Sequence, residues 1–335
     1  MENTCVQINQ FGGPDVLEVI EEPIRKLTQG EIRVKVLAAG VALGDVMRRV
    51  GKFPSALSLP LTLGYDGVGI VEELGEGTNG FVIGDKVAYF FGGTGGYASY
   101  VYAKEDELVV ISPKIEPEMG AAIILNYVIA YQMLHRVAKV TEGESILIHG
   151  ASGGVGTALL DLGRRAKLKM YGTASKMKHD VVSSFGAVPI DYQNQDFVEI
   201  LQREVPEGID VVFDPIGGTN YKRSQNILSE KGRFVGFGYT SILKEGNAQD
   251  WARDWDELTS KGETENGNKT YLYTISGFKK DHLDWFQEDL KYLFSLLEKE
   301  EIKPIIFGRF PLSEVAKAHE LIETSNKVGK IILYT

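Results

Sequence analysis

Residues 144–156 read ESILIHGASGGVG. An apolar run of strand character meets a glycine-rich turn. A helical apolar stripe of Val155, Ala158, Leu159, Leu162 and Ala166 follows at once. That order fits a strand–turn–helix unit lying on a parallel sheet. Gly150, Gly153 and Gly156 are spaced as in a variant of the dinucleotide-binding turn. Gly156 allows close approach of the helix, whose N-terminus aims free N–H groups and a positive dipole at whatever fills the loop. The same letters contain G-x-S-x-G, with Ser152 at the position of a hydrolase nucleophile. A hydrolase needs a later histidine and an acid. His179, His282 and His319 are available, but none stands in a recognisable context. The loop is therefore read as a phosphate cradle turning on Gly150, Gly153 and Gly156, with Ser152 a small residue beside the phosphates.

The rest of the chain supports that unit with repetition. Strand segments are expected at 145–149, 168–173, 187–190, 209–214 and 233–237, with helices between them, which predicts a doubly wound parallel α/β sheet. Before it, EIRVKVLAAGVA (31–42), GYDGVGIVEELGEG (64–77), GDKVAYF and GYASYVYA are short strands punctuated by glycine. They predict a compact β-barrel-like domain. Residues 117–140 carry a helical period. Trp251, Trp255 and Leu258 suggest a short amphipathic helix, read as docked on the surface in preference to a lid. ETENGNK is an exposed turn, TYLYTISGF a strand and 283–299 a helix, and the tail ends as helix, turn and strand.

At 335 residues there is room for two domains, and the 43% apolar content suffices for their cores. The 36 basic and 46 acidic side chains are scattered and leave a net charge of −10. That balance argues against nucleic acid or an anionic membrane as partner. With Cys5 the single cysteine, neither a disulfide framework nor a thiolate zinc cluster can form within the chain. No signal peptide or membrane span is read from the sequence, so the expectation is a soluble cytoplasmic protein.

An acid that could accept from a ribose 2′-hydroxyl is missing between Lys169 and Lys178. Thr173, Ser175 and Lys178 stand there instead. Two hydroxyls and a cation suit a 2′-phosphate and hence NADP(H). A polar helix start with Ser175 as cap is the alternative.

HGASGGVG, GTAS with its following lysine, IDY (190–192), VVFDPIGG (211–218), VGKIIL (328–333) and the GYDGVGIVEELGEG…GDKV stretch together resemble the medium-chain dehydrogenase/reductase superfamily. LNYVIAYQML, GTASKMKHD and KPIIFGRFPLSEVAKAHELIE are similar to its zinc-free quinone oxidoreductase branch and, within that, the VAT-1-like group. The resemblance spans nearly the whole chain. It implies a GroES-like β-barrel domain of residues 1–122 and 301–335, and a Rossmann domain of 123–300 with NADPH in the cleft between them. It also implies a homodimer. Carried over by position, the resemblance implies a pyrophosphate loop of Gly150, Ala151, Gly153, Gly154, Val155 and Gly156 and a 2′-phosphate held by Thr173, Ser175 and Lys178; Tyr192 lies by the adenosine end, and the turn of Phe237, Gly238 and Tyr239 passes the nicotinamide ribose. Tyr192 could equally be an ordinary half-buried aromatic.

Zinc-dependent members carry an early cysteine and a GHE histidine. This chain has GVALGDVMRR and GYD, with Tyr65 in the histidine slot, so no metal is expected. It also departs from zinc-free relatives at Ala42, Phe53 and Ile129, which leaves a drier pocket. The resemblance implies hydride transfer to a small apolar electrophile, a quinone or activated alkene. Tyr65 is the first candidate to polarise the carbonyl, with Tyr127 and Tyr239 behind it; aromatic pocket walls are the alternative. Asp45 and Asp66 are read as structural acceptors of backbone N–H groups. The competing function is that of an NADPH-binding VAT-1-like interaction protein.

Overall fold

Strand alternation appears where the sequence alternates. The computed structural model describes residues 2–55, 57–244, 246–324 and 328–335. The chain opens with β1 (Glu2–Ile8), β2 (Glu18–Pro23) and β3 (Glu31–Val41), then a short α1 (Leu43–Arg49) and β4 (Leu61–Thr62). β5 (Asp66–Leu74), β6 (Lys86–Phe90), β7 (Tyr100–Lys104) and β8 (Leu108–Val110) follow. Ile32, Val34 and Val36 are fully buried while Lys35 is exposed, so the first half of β3 has one wet face; its second half is buried on both sides. β3 is the hub of a seven-stranded sheet. It pairs antiparallel with β5 and β7, and its far half takes the C-terminal strand. A three-stranded antiparallel sheet, β2–β1–β4, accompanies it.

At Pro117 the period changes to helical. α2 (Pro117–Tyr131) is buried nearly all round and runs on into a π-helical turn, 132–137, so the helix expected over 117–140 is continuous but changes its winding.

The parallel sheet comprises β9 (Ser145–Ile148), β10 (Lys169–Ala174), β11 (Val188–Asp191), β12 (Ile209–Asp214), β13 (Leu228–Gly236) and β14 (Lys269–Leu272). Their order is β11–β10–β9–β12–β13–β14, and every pairing is parallel. From β9 the chain winds outward to β11 and then returns to β9's other side with β12. That reversal is the topological switch point, where an open α/β sheet binds its ligand. α3 (Gly154–Arg165), α4 (His179–Ser184), α5 (Phe197–Glu204) and α6 (Thr219–Gln225) make the crossovers. Leu147, Phe197, Leu201, Val212 and Phe234 anchor the core beneath α5 and α6.

The polar segment after β13 holds α7 (Ala248–Lys261). Asn247 Oδ1 accepts from the Gln249 and Asp250 amides, and Asp250 Oδ2 accepts from the Asn247 amide, a reciprocal cap worth about 1 kcal/mol. Gly262, at φ 63°, ends the helix in the left-handed conformation. Trp251 and Leu258 are buried, so α7 is docked by the residues whose spacing announced it. The strand expected through TYLYTISGF stops at Leu272. From Ile275 the chain is helical, as α8 (Ile275–Asp281), followed by α9 (Leu283–Glu298). The chain closes with β15 (Ile306–Pro311), α10 (Val315–Glu323) and β16 (Lys330–Tyr334).

Two compact units result. One runs to Val128 and resumes at Lys279–Thr335; the other is Ile129–Phe278. The return to the first unit thus comes before α9, ahead of the 300/301 boundary drawn from the sequence. Buried Phe286 packs on Phe90 of β6, with ring centroids 5.3 Å apart, which ties α9 to the first unit. Among the described residues no helix is long and apolar enough to cross a membrane.

Candidate functional site

In the second unit the glycine loop sits at the C-terminal end of β9, on the switch point. Gly150 adopts φ 65°, a conformation that glycine takes without a Cβ penalty. The Gly153 amide donates back to the Gly150 carbonyl at 2.9 Å, closing the turn, and α3 starts at Gly154. A Cβ on Gly156 would run into the Gly150 carbonyl oxygen and lie 2.7 Å from both Cα and C of Ala151, all backbone atoms. Gly172 of β10 is equally constrained, because a Cβ there would lie 2.6 Å from the Ala151 Cβ. The first N–H groups of a helix such as α3 have no intrahelical acceptor and are available to an anion at that end. Ser152 is buried within the turn and is not presented on it.

A buried relay braces this loop from behind. The Ser224 hydroxyl donates to Asp214 Oδ2 at 2.9 Å, so its oxygen accepts from His149 Nε2, also at 2.9 Å. His149 Nδ1 is then an acceptor and takes the Thr173 hydroxyl proton at 3.2 Å. The Thr173 oxygen in turn receives the Gly150 amide at 3.2 Å. Asp214 also accepts from the Ile216 amide at 2.7 Å and from Asn220 Nδ2 at 2.7 Å. The bond directions fix His149 as the neutral Nε2–H tautomer, and burial holds its pKa below the ordinary imidazole value. Neither His149 nor Asp214 was singled out from sequence. The signal was in the motif itself, whose first letter is a histidine at the end of a buried strand.

Thr173 therefore faces the loop's base and spends its hydroxyl on the relay. Ser175 and Lys178 remain at the end of β10. Ser175 Oγ is buried without a hydrogen-bond partner, and Ser175 caps no amide of the helical turn that follows. Lys178 is half-buried, and desolvation lowers its pKa. Tyr192, just past the adjacent β11, is 52% exposed, which removes the half-buried alternative. Phe237 and Gly238 are half-buried at the end of β13, and the Phe237 amide donates to the Asp214 carbonyl. Tyr239 is buried. It stacks on Trp251 and donates its hydroxyl to Asp254 at 2.5 Å, so that proton is committed to anchoring α7.

In the first unit Tyr65 is buried, and Arg48 Nη1 donates to its hydroxyl. Burial is the main cause that pushes the phenol up to about 12. The Arg48 guanidinium lies 3.6 Å over the ring of Phe53 and donates from Nη2 to the Gly92 carbonyl at 3.0 Å. Asp45 accepts from the Ala42 amide at 2.9 Å, the Gly64 amide at 3.2 Å and the Tyr97 hydroxyl at 2.8 Å, so it ties three segments of the domain together. Asp66 instead faces Lys330 at 3.5 Å, both fully buried, and desolvation raises its carboxyl to about 6. Gly40 makes room for this pair, since a Cβ there would lie 2.5 Å from Lys330 Nζ. Tyr127 is buried within α2. Among the described residues no three His, Cys, Asp or Glu side chains converge as a metal-holding group.

A family model described as "Alcohol dehydrogenase GroES-like domain" matches residues 28–113, and one described as "Zinc-binding dehydrogenase" matches 185–333. Human quinone oxidoreductase is 31% identical over 336 residues, covering 98% of this chain and 97% of its own. The chain belongs to the medium-chain dehydrogenase/reductase superfamily, in the quinone oxidoreductase branch. The chain is also similar to the synaptic vesicle membrane protein VAT-1 homolog of Rattus norvegicus, at 29% identity over 337 residues, covering 98% of this chain and 83% of the relative. The Escherichia coli quinone oxidoreductase complexed with NADPH superposes with a TM-score of 0.87 at 26% identity, covering 99% of this chain and all of that one. Human VAT-1 homolog-like protein superposes at 0.84 with 27% identity, covering 100% and 98%. For a member of this superfamily the first unit is the GroES-like domain and the parallel sheet is the Rossmann domain. The Arg48–Tyr65 pair in the first unit was announced by no local motif.

Proposed function

We propose that the protein is an NADPH-dependent oxidoreductase that reduces quinones or activated alkenes by hydride transfer without a metal. The observation that carries the reading is the glycine cradle at the switch point, where a Cβ on Gly156 would close the space beside the helix N-terminus. A pyrophosphate suits that cradle because its charge meets unpaired N–H groups and the positive end of α3. Ser175, with its buried unpartnered hydroxyl, and Lys178 would hold the 2′-phosphate. Thr173 acts behind them by fixing the Gly150 amide. Tyr192 would cover the adenosine, and Phe237 and Gly238 would follow the nicotinamide ribose. Support also comes from the relative solved with NADPH.

The bound dinucleotide supplies a hydride from the nicotinamide C4, and the protein's part is to bind, orient and keep water out. The acceptor proposed is one that is already electrophilic, because Tyr65 fills the metal-histidine slot and, among the described residues, no other ligand set is gathered. Tyr65 is the group proposed to polarise the acceptor's carbonyl, with Tyr127 behind it, while the Tyr239 hydroxyl is already given to Asp254. The same reading predicts a cytoplasmic homodimer, to be checked by sedimentation and fractionation. The test of function is NADPH consumption against a panel of quinones and enones, run beside simple alcohols with NADP⁺. Tight NADPH binding with no turnover of any acceptor would favour the interaction-protein role suggested by the vesicle-protein names of the VAT-1 relatives.

A further inference from the structure

Packing alone does not explain Arg48. Its side chain is about 95% buried, since the residue is only 5% exposed. Its Nε is buried without an acceptor. Among the described residues no carboxylate lies within ion-pair distance of it, because the Asp45 oxygens are taken by backbone and Tyr97 donors and Asp66 faces Lys330. A buried guanidinium without a contact ion pair is costly to fold, even with the Asp45 charge nearby. The chain nonetheless shapes two glycines around it. A Cβ on Gly93, itself at φ 122°, would lie 2.6 Å from Arg48 Nη1 and Nη2. A Cβ on Gly44 would lie 2.9 Å from Tyr65 Cζ. Tyr65 shares the deficit. Its oxygen accepts from Arg48, and among the described residues nothing accepts its own phenolic proton. Two donors, Tyr65 Oη–H and Arg48 Nε–H, thus stand unpaired beside a fixed positive charge.

We propose that Arg48 and Tyr65 form an oxyanion site for the carbonyl oxygen of the acceptor. This rests on the reductase reading above. As hydride reaches the β-carbon of an enone, a C–H bond forms there. The C=C pair moves to the bond between the α-carbon and the carbonyl carbon, and the C=O pair moves to oxygen. The acceptor gains two electrons and the dinucleotide is oxidised. Tyr65 then gives its proton to that oxygen, Arg48 stabilises the resulting phenolate, and water restores the phenol. The enol released becomes the saturated ketone. A quinone follows the same electron count to its hydroquinone. Arg48 is a positioning residue here, acting on the oxygen through Tyr65 and through its charge.

The test uses 4-nitrophenol as an oxyanion mimic, titrated into the full-length protein with NADP⁺ bound. Wild type is expected to favour the coloured phenolate over the neutral phenol by about tenfold or more, seen as a drop of about one unit in the apparent pKa of the bound phenol. Arg48→Met and Tyr65→Phe should abolish that preference, and Arg48→Lys should restore part of it as a point charge. With methyl vinyl ketone, Arg48→Met should lower kcat by roughly 10–100-fold, the loss of one charge-assisted hydrogen bond, with NADPH affinity unchanged within about twofold. No phenolate binding, equal binding of both forms, or an unchanged kcat in Arg48→Met overturns the site. If Arg48→Met does not fold, the wild-type phenolate preference and Arg48→Lys decide. Turnover without phenolate preference removes only the oxyanion site, whereas failure to bind NADPH removes the reductase reading beneath it.

Discussion

Replacing Gly156 by alanine tests the cradle with a single methyl group. In an ordinary helix this change is favourable by about 1 kcal/mol. Here the new Cβ would meet the Gly150 carbonyl and lie 2.7 Å from two backbone atoms of Ala151. Carbon atoms settle at roughly 3.5–4.0 Å, so the loop and α3 must separate by about 1 Å. Overpacking of that kind costs roughly 1–3 kcal/mol, more than the helical gain offsets. The same displacement draws the α3 amides away from the pyrophosphate. Each charge-assisted bond lost is worth about 1.5–3 kcal/mol, so NADPH affinity should fall about 10–100-fold. Gly153→Ala is the control, because its Cβ would lie 3.3 Å from the Gly150 oxygen, a contact the loop can relieve. That variant should stay within about threefold of wild type for NADPH, with up to about 1 kcal/mol lost at the cap. Calorimetric titration with NADPH, paired with urea unfolding, reads both quantities. Equal NADPH affinity in Gly156→Ala and wild type would refute the geometry of the cradle.

Further predictions concern charge and protonation. Lys178→Ala should weaken NADPH binding by about one to two decades and leave NADH nearly unchanged; equal losses would remove Lys178 from the 2′-phosphate. His319 is fully buried, accepts from Arg49 at Nδ1, and has its pKa driven down to about 3, chiefly by desolvation and then by Arg49. Its unfolded form protonates near 6.5. Stability is therefore lost as pH falls below about 6.5 and levels off near 3, a contribution of roughly 2–3 kcal/mol at pH 4.5. Unfolding free energies of wild type and His319→Gln from urea titrations should diverge by that amount between pH 7 and 4.5, and parallel pH dependences would contradict it. His149→Phe keeps a ring but strands Thr173 and Ser224. It should lower stability by about 2 kcal/mol and weaken NADPH binding, measured on the same instruments; an unchanged NADPH affinity would detach the relay from the loop. Purified protein should contain no stoichiometric zinc by elemental analysis, and about one zinc per chain would refute the metal-free mechanism.

The sequence made the Rossmann strands legible because each is a short, buried apolar run ended by turn residues, and the glycine loop because its backbone demands glycine at fixed spacing. α7 was legible from Trp251, Trp255 and Leu258. The end of β14 was not: TYLYTISGF keeps an apolar, β-branched composition through Ile275, and only tertiary pairing to β13 decides where the strand stops. Thr173 was assigned to a phosphate by its position at a strand end, yet its hydroxyl turns inward to His149 and the Gly150 amide. Polarity and position do not reveal which way a side chain faces. The Arg48–Tyr65 pair joins residues seventeen apart across α1 and the turn before β5. No local pattern records a contact of that range, and glycines at 44 and 93 become informative only once the pair they accommodate is seen.

The most direct measurement is the oxidation of NADPH at saturating concentration with 1,4-naphthoquinone and methyl vinyl ketone as acceptors, wild type beside Tyr65→Phe. Wild type should turn over at least one of them, and Tyr65→Phe should lose about tenfold in kcat, less than the roughly 10²–10⁴-fold of an indispensable general acid because water can also supply the proton. No turnover of either acceptor by a protein that binds NADPH tightly would contradict the account.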